Sequence, residues 1–250
     1  MEKSDFSEEQ ITFIPISALK GENVTRKSEE MPWYLGNTLL DHLEVLEPED
    51  LQESTAARFP VQLVIRPKTE AYHDFRGFSG KLYGNSLSVG DRVTVLPSGN
   101  ESTIKSIHFF DQKLESAAAG SSIVVTLADE VDCSRGDMIV KVGEEPSSEK
   151  SISATLCQVN SKNLRVGQKY ILQHGVNRVL AKVEQIEAKI HADFSGREQT
   201  EQLKLNDIGK VQLRLSKPIH FDRYQSNKSN GAFILIDEGS FDTVSVGFIE

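Results

Sequence analysis

The chain has 250 residues, 28 Lys and Arg against 37 Asp and Glu, and a formal net charge of −9. Length allows one large or two small domains, and 38% hydrophobic with 26% charged residues excludes a disordered or membrane-embedded composition. The acid is uneven: residues 1–58 hold 13 acidic and 5 basic side chains, residues 59–250 hold 24 and 23.

No run approaches the roughly 18 apolar residues of a membrane-spanning helix. MEKSDFSEEQ shows no secretory signal, which sets the expected location in the cytoplasm. Cys133 and Cys157 have no Cys-x-x-Cys partner, so neither a disulfide framework nor a metal site is expected. The acidic balance and the lack of a dense Lys/Arg run argue against nucleic-acid binding by charge.

In chain order, Ile11–Ile16 reads as a short buried strand, with Pro15 at its edge or end. A turn over Ser17–Gly21 follows. Leu35, Leu39, Leu40, Leu43 and Leu46 then recur at spacings of three and four, predicting one helix with one apolar face, stopped by Pro48. One strand and one helix cannot close a core by themselves.

From Arg58 the period becomes two. Val61, Leu63 and Ile65 alternate with polar residues, and Gly77 and Gly80 inside the next run predict bulges or tight coiling. Ser88–Leu96 reads as a turn feeding a strand, and further strands are predicted near 103–110, 122–128 and 137–142, with a polar linker over 143–149. A second set covers 151–159, 169–174, 178–190, 209–216, 232–236 and 243–248. Ser88-Val-Gly-Asp-Arg92 echoes Arg165-Val-Gly-Gln-Lys169, each a turn opening a strand. Two small antiparallel barrels fit this spacing better than one large sheet.

Three strings imitate nucleotide-binding motifs. Gly21-Glu-Asn-Val-Thr-Arg-Lys-Ser28 has Arg26 where a phosphate loop needs its second glycine. Asp74-Phe-Arg-Gly77 matches the D-x-x-G switch but lies in a strand-like run. Asn227-Lys-Ser-Asn230 replaces the guanine-reading carboxylate of N-K-x-D by an amide, and reads as a surface turn. The six histidines form no metal-binding pair, and no G-x-S-x-G elbow is present. No catalytic residue is assigned.

Ile14–Val24 and Met31–Glu44 resemble the last strand, guanine loop and final helix of a translation-factor-type GTPase domain. Arg58-Phe-Pro-Val-Gln62, Asp74-Phe-Arg-Gly-Phe-Ser-Gly80, Val89–Gly99 and Asp129–Asp137 resemble the second domain of sulfate adenylyltransferase subunit 1; Asp222–Asp237 resembles its third. The resemblance implies a mainly β chain. Two consecutive antiparallel β-barrels, 58–145 and 150–250, would follow a strand-plus-helix remnant of a P-loop α/β GTPase domain at 1–57. It further implies a C-terminal part of a GTP-binding subunit that couples GTP hydrolysis to adenylyl sulfate formation from ATP and sulfate. A small catalytic subunit is its implied partner. Ser17, Ala18 and Leu19 would be a vestigial guanine contact. GTP and Mg would belong to the complete subunit, with no cofactor expected in this chain and no activity alone. The alternative is an elongation-factor-like module that binds RNA or protein without being an enzyme.

Overall fold

The computed structural model describes residues 11–46, 56–67, 75–191 and 196–250. The chain divides into two compact units, Met1–Leu51 and Gln52–Glu250, and both β-sheet systems lie in the second.

In the first unit, Ile11–Ile16 forms no strand, contrary to the sequence expectation, and Phe13 is 75% exposed. An extended segment becomes a strand only when a neighbour takes its backbone hydrogen bonds. Here the pairing is confined to isolated bridges, Ser17 with Glu22 and Glu22 with Arg26. The helix is shorter than its leucine spacing predicts. It is α1, Leu39–Val45, with Thr38 as N-cap; Leu35 lies outside it, and Pro48 falls outside the described residues. The Thr38 hydroxyl accepts from Asp41 N and the Asp41 carboxylate accepts from Thr38 N, a reciprocal cap that fixes the start. No residue of α1 is buried.

Among the described residues the first barrel region holds β1 (Phe59–Pro60), β2 (Leu63–Ile65), β3 (Gly77–Lys81), β4 (Leu87–Ser88), β5 (Arg92–Leu96), β6 (Asn100–Phe109), β7 (Gln112–Leu114), β8 (Ser116–Ala117), β9 (Ser122–Leu127) and β10 (Met138–Lys141), of which β4 and β8 pair only with each other. The main order is β1-β10-β5-β6-β9-β3-β2. Because β1 and β2 are halves of one run, 59–65 pairs with β10 at its start and with β3 at its end, which closes the ring. No register shift interrupts β3, so Gly77 and Gly80 are not bulges. A Cβ on Gly80 would sit 2.3 Å from Pro60 O, so glycine is required by close approach at the closure. Phe59, Val61, Phe78, Val93, Ile104, Val125 and Ile139 fill the interior.

The second barrel comprises β11 (Ser147–Gln158), β12 (Leu164–Arg165), β13 (Lys169–His174), β14 (Asn177–Ile190), β15 (Arg197–Glu198), β16 (Gln202–Leu203), β17 (Ile208–Phe221), β18 (Ala232–Ile236) and β19 (Thr243–Ile249). Six of them run β13-β18-β19-β11-β17-β14, and β14 pairs back to β13. Val179, Ala181 and Val183 alternate inward along β14; register shifts after Val183 and Ile186 bend it round the barrel. The linker predicted over 143–149 is shorter: β11 begins at Ser147, and Ser147–Glu149 pairs with Phe221–Ile219.

The sequence echo between the barrels is a shared turn. Gly90 and Gly167 have φ of 91° and 85° and donate to Ile104 O and Val183 O. Asp91 Oδ2 accepts from Ser88 N at 2.9 Å, and Gln168 Oε1 accepts from Arg165 N at 3.0 Å.

Candidate functional site at the barrel junction

Arg58 opens the first barrel and is 5% exposed. Its Nε and Nη2 donate to the Asp222 carboxylate at 2.8 and 2.9 Å, and its Nη1 to Glu144 O at 2.6 Å and Ala57 O at 3.2 Å. A bidentate guanidinium–carboxylate pair fixes both distance and plane, and removing either partner would strand a buried charge. Asp222 stands just beyond β17, so this one contact joins the two barrels.

Asn227-Lys-Ser-Asn230 proves to be buried rather than a surface turn at its asparagines. Asn227 is 1% exposed, and its Oδ1 accepts from Asn230 N at 3.0 Å. Asn230 Nδ2 donates to Asp222 Oδ2 at 2.7 Å, and its carbonyl accepts from His174 Nε2 at 2.9 Å. The amides therefore brace the carboxylate that holds Arg58. Burial lowers the pKa of His174, opposed by its bond to Asn230 and the charge of Asp222; burial lowers His220 as well. The sequence left these histidines scattered, but the barrel registers bring both to the junction.

The other family-like strings meet nearby. Arg76 donates to Val131 O at 2.7 Å and Cys133 O at 3.0 Å, tying the Phe75-Arg-Gly77 string to Asp129–Asp137; Asp74 lies outside the described residues. Arg135 Nη1 donates to Gln62 O at 2.6 Å, and Gly136 N to Val61 O at 2.9 Å. Across the junction, Asn177 Nδ2 donates to Gly136 O at 2.7 Å. Between the barrels Arg58, Gln62, Arg135, Gly136 and Asn177 border a cleft of about 640 Å³.

The sequence-predicted site residues are elsewhere. Ser17 N donates to Glu22 O, and Ser17 O accepts from Gly21 N at 2.8 Å, so residues 17–22 form a tight turn. Leu19 is 97% exposed at its tip. Among the described residues, the amides of Ala18 and Leu19 have no hydrogen-bond partner. Asn23, which the sequence reading passed over, shapes this loop. It is 2% exposed with φ of 54°, its Nδ2 donates to Pro15 O, and its Oδ1 accepts from Ser28 N. Its carbonyl accepts from Leu39 N, and Val24 O accepts from Leu40 N, so the loop satisfies the free amides at the α1 start. Glycine-Glu-Asn in a turn was the available signal, because Asn tolerates positive φ.

Residues 151–250 match the family model described as GTP-eEF1A C-terminal domain-like. The chain is 40% identical to sulfate adenylyltransferase subunit 1 of Colwellia psychrerythraea, over 99% of this chain and 52% of that protein. The chain is thus similar to proteins named sulfate adenylyltransferase subunit 1 along nearly all of its length. The subunit 1 of Psychromonas ingrahamii is 42% identical over 96% of this chain and 50% of its own length. The chain thus spans about half the length of the curated relatives it matches. The crystal structure of sup35 complexed with GDP shares the fold at a TM-score of 0.69 and 16% identity, over 96% of this chain and 58% of that one. The mainly β fold of this chain is therefore shared with that structure.

Among the described residues, no helix is long and apolar enough to cross a membrane, and no cluster of three His, Cys, Asp or Glu could hold a metal.

Proposed function

We infer that the chain supplies the two-barrel part of a GTP-binding sulfate adenylyltransferase subunit acting in the cytoplasm. The complete subunit would couple GTP hydrolysis, with Mg, to adenylyl sulfate formation from ATP and sulfate. Adenylylation itself would occur on a small catalytic subunit, and the barrels would dock that subunit and relay the nucleotide state to it. The observation that carries this reading is the identity of about 40% to proteins named subunit 1, sustained across both barrels. The Arg58–Asp222 clamp supports a relay, because a displacement passed to one barrel moves the other only if the junction is stiff.

In this reading the Ala18 and Leu19 amides would face a guanine carbonyl, a contact that orients without supplying phosphate affinity. The exposed leucines of α1 would lie against the remainder of a GTPase domain. The chain by itself is expected neither to bind GTP tightly nor to hydrolyse it.

Size-exclusion chromatography of the chain mixed with the small catalytic subunit tests the docking role. Co-elution as a defined complex is expected. Separate elution, with the full-length subunit binding normally, would refute docking by the barrels.

A further inference from the structure

The cleft between the barrels differs in charge from the molecule around it. Residues 59–250 are nearly neutral and the whole chain carries −9. Yet Arg135, Arg178 and Lys217 line the cleft against a single carboxylate, Asp137, which accepts from Ser134 N, once the Arg58–Asp222 pair is set aside. Three cations drawn to one recess of an acidic protein cost mutual repulsion that an anion would relieve.

Their donors are largely free. Arg135 commits Nη1 to Gln62 O, and Arg178 commits Nε to Gln173 Oε1, leaving the remaining guanidinium N–H groups available. Among the described residues, Lys217 Nζ has no partner. Guanidinium forks match the paired oxygens of phosphate and sulfate, whereas an ammonium adds a point charge. The same recess has a Tyr83 and Met138 wall, and its volume of about 640 Å³ suits a ligand of mononucleotide size. Arg135 comes from the first barrel, Arg178 and Lys217 from the second, so the ligand would be held by both.

We propose that the inter-barrel cleft binds a small polyanion carrying phosphate- or sulfate-type groups. The site is separate from the Ser17–Leu19 loop and does not depend on which protein the barrels dock.

Isothermal titration of the chain with pyrophosphate, sulfate and ADP, at matched ionic strength, tests this. Saturable 1:1 binding of at least one of them is expected. The Arg135→Gln/Arg178→Gln double variant should weaken it by about tenfold or more, since each lost guanidinium removes charge-assisted bonds to the anion. Lys169→Gln/Lys182→Gln, an equal charge loss on exposed positions of β13 and β14 away from the cleft, should leave it unchanged. Circular dichroism would verify that all variants remain folded. Tighter binding of ADP than of pyrophosphate would assign the source to a nucleotide; binding of sulfate alone would assign it to the free oxyanion. Absence of saturable binding by all three, or equal binding by the double variant, would overturn the site. So would binding of a poly-glutamate peptide in place of the small anions, which would make the cleft a protein-docking surface.

Discussion

Residues 11–46 and the barrel unit solve the same folding problem with opposite means. In the first, hydrogen bonds set the shape: Asn23 pins the loop, Thr38 caps α1, and the apolar side chains Phe13, Leu19, Trp33, Leu35 and Leu43 stay exposed. In the second, each ring of strands encloses its own apolar cluster, and a bidentate ion pair joins the two at the junction. Hydrogen bonds exchange protein partners for water at small net gain, whereas burial removes apolar surface from water outright. The stability of the molecule should therefore reside almost wholly in the barrels.

The sharpest way to break that contrast is to truncate one apolar side chain in each region. Phe59→Ala removes a fully buried ring from the first barrel and should cost about 3–5 kcal/mol in urea unfolding. Leu43→Ala, at a position 56% exposed, should change it by no more than about 0.5 kcal/mol. Equal costs would show that α1 is packed in solution.

A smaller difference separates the ion pairs. Arg58→Ala strands the Asp222 carboxylate at the junction and should cost about 3 kcal/mol. Lys20→Ala breaks a 2.8 Å pair with Glu30 whose side chains are both more than half exposed, and should cost at most about 1 kcal/mol. Unfolding of both variants in the same denaturant series measures the gap.

The smallest effect is one of acid sensitivity. His174 has its folded pKa lowered by burial, so below the ordinary histidine value of about 6.5 the unfolded chain takes up a proton that the folded barrel refuses. Barrel stability should be complete above that value and decline as pH falls from about 7 towards 5. His174→Gln should flatten this slope. The α1 cap should persist further: hydrogen bonds from Thr38 hold the Asp41 carboxyl below the usual aspartate value of about 4, so its contribution fades only beneath that. Denaturant midpoints across pH, with helix content followed separately, would reveal a barrel that does not weaken first.

Much of the barrel architecture was legible because alternation is a local property. Val179, Ala181 and Val183 announce an inward face of β14 without knowledge of any partner strand. The turns at Gly90 and Gly167 were legible as a repeated string, since positive φ there demands glycine. The strand predicted over Ile11–Ile16 failed because apolar, β-prone residues specify no pairing partner. The family-like strings pointed to the proteins the chain is similar to, but not to the reason their residues recur together. Asn227 and Asn230 looked like a turn, and only their burial beneath Asp222 shows what they brace.

Composition and periodicity by themselves determined an acidic front segment, two sets of alternating strands, and the lack of a nucleophile or metal motif. Tertiary structure decided what a linear pattern cannot carry. Arg58 and Asp222 stand 164 residues apart, and their pairing depends on where each ring closes. The same closure assembles Arg135, Arg178 and Lys217 around one cleft. Charge recurs locally along a chain, but electrostatic potential sums over space, so a net of −9 could conceal a basic recess.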